Sequence, residues 1–118
     1  MVSIKFPLRL ISKDNEKVFG KYSHRPFLSK KYKDFEKQCA IIARSQYKGD
    51  PLEGHLKFTL TAWFKTKVHS DTMNLSKGIC DAMQSVLYVN DKQIKVGHIS
   101  VAEGMPEDKF EVDIEVIQ

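Results

Sequence analysis

Hydrophobic and polar residues alternate along three segments of the chain, and with a fourth segment near the end they predict four β-strands. The first segment runs from Val2 to Leu10, and the second is His55–Lys65. Two more, Ile94–Ala102 and Lys109–Ile117, follow near the end and are joined by a turn at residues 103–108. Alternation of this kind is typical of a strand that buries one face and exposes the other.

Two further segments have the hydrophobic spacing of helices. The first is predicted from Ser29, whose side chain can cap a helix, to about Lys48, with Gly49 closing it. The second is predicted from Ser70–Asp71 to about Leu87. The residues predicted to be buried are Tyr32, Phe35, Cys39, Ile42 and Ala43 in the first helix and Leu75, Ile79, Ala82, Met83 and Val86 in the second.

The predicted elements follow the order β-α-β-α-β-β. Residues 11–28 show no periodicity and mix basic with aromatic side chains, so we predict a long functional loop there. The order predicts a single α+β domain over residues 1–118, with a mixed sheet and both helices packed on one of its faces. A chain of 118 residues with 42% hydrophobic and 29% charged residues is of the size and composition of one globular domain.

Composition excludes several functional classes. The longest apolar run, Cys39–Ala43, is too short to cross a membrane, and the N-terminus lacks the apolar block of a secretory signal. Cys39 and Cys80 have no CxxC partner, which predicts buried thiols in a reducing compartment and hence a cytoplasmic protein. The glycines lie far apart and form no phosphate-binding loop, so we expect no nucleotide cofactor.

The charge of the chain is unevenly distributed. Residues 1–50 contain twelve Lys or Arg and five Asp or Glu, a formal charge of +7, whereas residues 51–118 carry −3. A basic half is typical of domains that bind a polyanion such as a nucleic acid. Charge alone leaves an acidic protein open as the partner, because many solvated surfaces are also rich in lysine.

The segment between the second and third strands contains the candidate chemistry. Asn74, Lys77 and Asp81 have the spacing of one polar helix face, and Asp71 lies at the helix start. The short loop at Asn90–Asp91 could fold back over this face. Carboxylates that converge from a helix start and a later loop are the hard oxygen ligands that Mg²⁺ requires.

The same residues also have a purely structural interpretation. Asp71 is a good residue to cap a helix, and the helix dipole favours an acid in the first turn. Lys77 and Asp81 could form an exposed i, i+4 ion pair, which contributes little stability. Asn90–Asp91 is also typical of an ordinary turn. The residues taken alone favour this structural interpretation.

Ten residues of this region match a longer pattern, D-x-D-N-L-x-K followed by D-A-L and then by aromatic-x-D-D-x-Q-[IV]. The matching residues are Asp71, Asn74, Leu75, Lys77, Asp81, Ala82, Tyr88, Asp91, Gln93 and Ile94. In this pattern the chain resembles the RusA-type Holliday junction resolvases, a family of small, dimeric, Mg²⁺-dependent endonucleases. The resemblance covers nearly the whole chain, from the opening strand to a final hairpin.

The resemblance implies hydrolysis of a DNA phosphodiester at a four-way junction by a homodimer with Mg²⁺, or Mn²⁺ in its place. Asp71 and Asp91 would be the catalytic, metal-binding acids, Lys77 the cation that offsets charge on the phosphate, and Asn90 and Asp81 further metal ligands. The residues expected to contact branched DNA are Lys13, Lys17, Lys21, Arg25, Lys65, Lys67 and His69.

Two positions depart from the family pattern. Met73 replaces the second acid of D-x-D-N, and Asn90 replaces the first acid of the D-D pair. A thioether is a poor ligand for Mg²⁺, and an amide oxygen carries no charge, so metal affinity should fall unless His69 or Glu103 substitutes. Three functions therefore stay open: a weakened resolvase, a non-catalytic junction-binding relative, and an unrelated basic α+β domain that binds nucleic acid or protein.

Overall fold

The computed structural model describes residues 1–12, 17–19, 26–28 and 30–117 of the chain. Its strands and helices, in chain order, are β1 (Val2–Phe6), β2 (Lys17–Phe19), β3 (Pro26–Leu28), α1 (Lys30–Gln46), β4 (His55–Trp63), α2 (Ser76–Ala82), β5 (Ile94–Ala102) and β6 (Lys109–Ile117). Short 3-10 turns at Thr72–Asn74 and Asp91–Gln93 precede α2 and β5. None of the described helices is both long and apolar enough to cross a membrane.

Four strands form a mixed sheet in the order β1-β6-β4-β5. Strand β6 is antiparallel to both β1 and β4, whereas β5 runs parallel to β4. The connection from β4 to β5 passes through α2, because parallel neighbours need a crossover and cannot be joined by a tight turn. The predicted α+β fold with a mixed sheet is confirmed.

Both helices cover the same face of this sheet. The inward side chains of β1, β4 and β6 alternate with exposed or half-buried ones, as the sequence pattern predicts. The rings of Phe6 and Phe110 stack with their centroids 4.4 Å apart. The buried residues of α1 and α2 belong to the same hydrophobic core. That core fixes α2 relative to the sheet, which matters because α2 carries two of the candidate site residues.

The predicted final hairpin is wrong. Strands β5 and β6 have the predicted bounds, but β4 lies between them in the sheet. The turn that joins β5 to β6 therefore crosses over the end of β4 and does not close a hairpin. In this turn Gly104 adopts a φ of +67°, which glycine allows. Alternation locates a strand but does not name its neighbour, so the sequence could not distinguish these two arrangements.

The prediction of a long irregular loop over residues 11–28 is also incomplete. Within it, β2 and β3 pair as an antiparallel two-stranded sheet, with Val18 opposite Phe27. Strands of three residues are too short for alternation to reveal them. Lys13, Lys21, Arg25 and the predicted cap residue Ser29 lie outside the described residues.

Helix α1 ends two residues before the predicted Lys48, and Ile42 in its predicted buried stripe is only half-buried. The second predicted helix is much shorter than expected, since α2 contains seven residues. The chain turns back after α2, where Ser85 adopts a φ of +71° and its N–H donates to the carbonyl of Tyr88 at 2.6 Å. The predicted hydrophobic stripe is nevertheless buried throughout.

Gly78 explains how α2 can lie close to α1. An ideal Cβ built on Gly78 would overlap the hydroxyl group of Tyr32, which is fully buried on α1. Any larger residue would therefore push the two helices apart. Of the two free cysteines, Cys39 is buried, as predicted, whereas Cys80 is only half-buried.

Candidate active site

Residues 64–71, which we call the Asp71 arm, connect the end of β4 to the candidate acid Asp71. The backbone of Phe64 forms two hydrogen bonds, donating to Ala102 at 2.9 Å and accepting from Met105 at 3.0 Å. The N–H of Lys65 donates to a carboxylate oxygen of Asp108 at 2.8 Å. These bonds fasten the start of the arm to the end of β5 and to the turn that follows it.

His69 fastens the other end of the Asp71 arm. Its Nε2 lies 2.6 Å from a carboxylate oxygen of Glu103, and its Nδ1 lies 2.8 Å from the carbonyl oxygen of Ser70. The imidazole also stacks on the ring of Phe64, with centroids 4.4 Å apart, and only 12% of its side chain is exposed. Both ring nitrogens of the predicted DNA contact His69 are therefore engaged within the protein.

Arg9 supports the same arm from the segment after β1. Its guanidinium donates to the carbonyl oxygen of Val68 at 2.5 Å and lies 3.7 Å from Asp108. It also lies over the Phe64 ring, 5.1 Å from the ring centroid. Arg9 and His69 thus hold the arm from two directions, and both contact the Phe64 ring. The sequence pattern gave no indication of this role for Arg9.

Asp71 itself is exposed at the start of the turn Thr72–Asn74. It occupies the capping position of this turn, but its side chain makes no capping hydrogen bond. The structural interpretation of Asp71 as a helix cap is therefore wrong for the carboxylate. Met73, two residues later, is 78% exposed, so the residue that replaces the family's second acid has no part in the core.

Residues 89–93, which we call the Asp91 loop, bring the second candidate acid to the end of α2. The side chain of Gln93 organises this loop, since its amide oxygen accepts from the N–H groups of Val89 and Asn90 at 3.0 and 2.9 Å. Its amide nitrogen donates to the carbonyls of Leu52 and Gly54, both at 3.0 Å. These four bonds give a structural reason for glutamine at this position of the family pattern.

Asn90 also has a structural role in the Asp91 loop. Its amide oxygen accepts from the N–H of Lys92 at 2.8 Å and so caps the short turn Asp91–Gln93. The oxygen that the sequence predicted as a metal ligand is therefore engaged in a cap. The N–H of Asp91 donates to the side-chain oxygen of Gln84 at 2.8 Å, which ties the loop to the end of α2.

The carboxylates of Asp81 and Asp91 both act on the Cys80 thiol and the Tyr88 hydroxyl. Burial, and then the negative charges of Asp81 and Asp91, raise the pKa of the Cys80 thiol to about 12. Burial, Cys80 and the same two carboxylates raise the pKa of the Tyr88 hydroxyl, which donates to the Cys80 carbonyl at 2.5 Å. Two of the predicted site acids, one from α2 and one from the Asp91 loop, therefore lie near the same two groups.

Three predicted lysines of the site are exposed to solvent. Lys77 is exposed on α2, and Lys65 and Lys67 are exposed on the Asp71 arm. Among the described residues, no group of three or more His, Cys, Asp or Glu side chains is arranged to hold a metal ion. The sharing of one cation by Asp71 and Asp91 stays a prediction.

Sequence analysis did not identify Gln84, whose side chain places the Asp91 backbone. No pattern in the sequence marks this residue. The importance of Gln93 was visible only through the family pattern, because a single glutamine carries no signal in composition or spacing. Glu103 was considered only as a substitute ligand, and it instead pairs with His69.

Comparison with known proteins supports the resemblance. A family model described as Endodeoxyribonuclease RusA matches residues 7–116 of the chain. The match includes the Asp71 arm, α2 and the Asp91 loop. A comparison with curated proteins found no match. The third alternative assumed a domain unrelated to these nucleases, and the family match contradicts that part of it.

Proposed function

The chain belongs to the RusA endodeoxyribonuclease family, and we propose that it cuts four-way DNA junctions by Mg²⁺-dependent hydrolysis of a phosphodiester bond in DNA recombination and repair. The observation that carries this proposal is the match over residues 7–116, which spans the whole candidate site. The family is one of resolvase-type nucleases that act on branched DNA. The divalent ion, the catalytic residues and the assembly are our proposals for this chain.

Asp71 and Asp91 are proposed as the acids that hold the ion, with Asp81 beside Asp91. Carboxylate oxygens suit Mg²⁺, and the side chain of Asp71 is not used as a cap. Mg²⁺, or Mn²⁺ in its place, would polarise the scissile phosphate and activate water. The chain's own contribution is to present these carboxylates on a helix end and a loop that hydrogen bonds hold in place.

Lys77 is proposed to act on the phosphate directly. It lies exposed on α2, one turn before Asp81. An ammonium group at this position would offset the negative charge that develops on the phosphate oxygens in the transition state. Lys65 and Lys67 on the Asp71 arm, with Lys13, Lys17, Lys21 and Arg25, are proposed to bind the flanking phosphates.

We propose that the active species is a cytoplasmic homodimer. A four-way junction approaches two-fold symmetry, so a symmetric dimer would present one site to each of two strands. Hydrolysis of both strands by a monomer would require it to dissociate and rebind between cuts. A dimer would therefore resolve a junction in one encounter.

Two observations favour a second candidate function, a junction-binding relative that cuts poorly or not at all. Met73 supplies no charge, and the Asn90 oxygen is engaged in the cap of the Asp91 loop. Two of the four carboxylates at the D-x-D and D-D positions of the family pattern are therefore absent. Loss of charge from the site should lower its affinity for a divalent ion without altering the grip on DNA.

Cleavage of a synthetic four-way junction distinguishes the two functions. The resolvase should cut the junction in Mg²⁺ or Mn²⁺, and both EDTA and the substitution Asp91→Asn should abolish cutting. Full activity in EDTA would contradict the proposal. The non-catalytic relative should bind the junction in preference to linear duplex but cut it in neither metal.

A gain-of-function variant tests the same point from the other side. Met73→Asp combined with Asn90→Asp restores the family pattern and should increase cutting if the fold and the DNA grip are intact. The matched control is His98→Asp combined with Val116→Asp, which adds two acids at exposed positions of β5 and β6 outside the candidate site. An increase in both proteins would show that the added charge acts nonspecifically.

A further inference from the structure

The exposed side of α1 carries a row of cations that the proposed site does not include. Lys30, Lys33, Lys37 and Arg44 are all exposed, and their spacing of three, four and seven residues places them on one side of the helix. We call these four residues the α1 basic stripe. The opposite side of α1 is buried in the core.

The local electrostatics of α1 disfavour this arrangement in the free protein. Lys33 and Lys37 lie four residues apart, a spacing at which like charges repel on a helix. The first turn of α1 contains lysines and no acid, although the helix dipole favours the opposite charge there. Asp34 and Glu36 are the acids next to the stripe in the helix. A bound anion would relieve this repulsion.

The cations of the stripe are also available for binding. In the part of the chain that the structure describes, Lys33, Lys37 and Arg44 form no ion pair. From Lys30 to Arg44 the stripe is about 21 Å long, because a helix rises 1.5 Å per residue. That length corresponds to about six phosphates of one strand at 3.4 Å each.

A groove joins the stripe to the proposed site. It has a volume of about 460 Å³ and is lined on the α1 side by Lys33, Lys37 and the acid Glu36 between them, and on the α2 side by Asp81 and Gln84. The side chain of Gln84 accepts the N–H of Asp91 at 2.8 Å. A strand that lay along the stripe would therefore reach Asp81 and, beside Gln84, the Asp91 loop.

We propose that the α1 basic stripe binds the sugar-phosphate backbone of one arm of a branched DNA and guides it toward Asp81 and Asp91. The inference rests on the proposed function, because it takes DNA as the ligand of this face. It adds a binding surface in the first helix, whereas the predicted contacts lie in residues 13–25 and on the Asp71 arm. Each cation of the stripe would replace counterions on one phosphate.

The test is the salt dependence of junction binding by Lys33→Gln/Lys37→Gln, measured in EDTA so that no cutting occurs. The logarithm of the association constant falls with the logarithm of the salt concentration by about 0.9 for each phosphate contacted. The double variant should lower this slope by about 1.8 and bind several-fold more weakly at low salt. Glutamine keeps helix propensity and most of the side-chain length, so α1 should stay folded.

Two further variants make the result specific. Lys57→Gln/Lys95→Gln removes the same charge from strands β4 and β5 and should leave the slope unchanged. Lys33→Arg/Lys37→Arg keeps the charge and should keep the slope of the original chain. An unchanged slope in Lys33→Gln/Lys37→Gln would overturn this inference alone. Failure of the original chain to bind junction DNA at any salt concentration would overturn the proposed function, and this inference with it.

Discussion

The Asp71 arm and the Asp91 loop lie before and after the same short helix, but different chemistry holds each of them. The arm is fixed chiefly by carboxylates, with Glu103 against the His69 imidazole and Asp108 near the Arg9 guanidinium. The loop is fixed by neutral amides, chiefly the four hydrogen bonds of Gln93. Ion pairs at a partly exposed surface weaken as salt is added, whereas hydrogen bonds between neutral groups do not.

Each of these two regions has also lost one acid of the family pattern while keeping its framework. Met73 follows the Asp71 arm, which Arg9 and His69 hold in place. Asn90 replaces an acid in the Asp91 loop, and the Asn90 side chain caps the turn in that loop. The supports of the site therefore do not depend on the missing carboxylates. This separation is the reason to expect that restoring the acids would restore function rather than refold the region.

The largest effect is expected at Gly78, because this residue sets how closely α2, which lies between the two regions, packs on α1. Gly78→Ala adds a methyl group that overlaps the Tyr32 hydroxyl, so the helices must separate. Such overpacking should lower the free energy of unfolding by about 3 kcal/mol, measured by urea denaturation. Tyr32→Phe removes the overlapping hydroxyl, so Gly78→Ala should cost less in that background. Equal costs in both backgrounds would show that the contact is not the cause.

Gln93→Ala should affect the Asp91 loop alone. The loss of four hydrogen bonds, some of them near the surface, should lower the free energy of unfolding by about 2 kcal/mol. Because the bonds are neutral, the loss should be the same at low and high salt. Gln38→Ala, which changes an exposed glutamine of α1, is the control and should have little effect. A similar loss in both variants would contradict the role assigned to Gln93.

Alkaline pH should weaken the side of the site that contains the Asp91 loop. The pKa of Cys80 is raised from 9.0 to about 12, so the unfolded chain releases this proton first and stability falls as pH rises from 9 toward 12. The fall is up to about 1.4 kcal/mol per pH unit for each such thiol, and Cys39 behaves alike.

The comparison variant for this pH effect is Cys80→Ala. Between pH 8 and pH 9, well below the ordinary tyrosine pKa of 10.0, its stability should fall about half as steeply as that of the original chain, because one of the two thiols is gone. Urea denaturation at several pH values measures both slopes. Equal slopes would mean that Cys80 does not stay protonated in the fold.

The smallest effect is expected at the Asp71 arm. Glu103→Gln removes the charge that faces His69 and should lower the free energy of unfolding by about 1 kcal/mol at low salt, since the carboxylate is partly exposed. The difference should shrink in 0.5 M salt, unlike that of Gln93→Ala. Glu107→Gln changes an exposed acid of the same turn and serves as the control. A loss that does not depend on salt would remove the contrast between the two regions.

The sequence predicted β6 well because this strand buries one face, with Phe110, Val112 and Ile114 alternating with more exposed residues. Strand β5 also has its predicted bounds, but none of its residues is buried, so alternation does not explain that success. The second helix was predicted too long, because its hydrophobic residues stay buried in the turns that follow Ala82. Burial alone cannot tell a continuing helix from a chain that folds back on the same core.

The sequence by itself determined the number and the faces of the main strands and helices, the excess of positive charge in the first fifty residues, and the acids that mark the family. Tertiary structure decided which strands are neighbours, that His69 pairs with Glu103, and that the Asn90 oxygen caps a turn. The physical reason is that periodicity reports how each segment meets water, whereas strand pairing and side-chain hydrogen bonds depend on residues far apart in the chain.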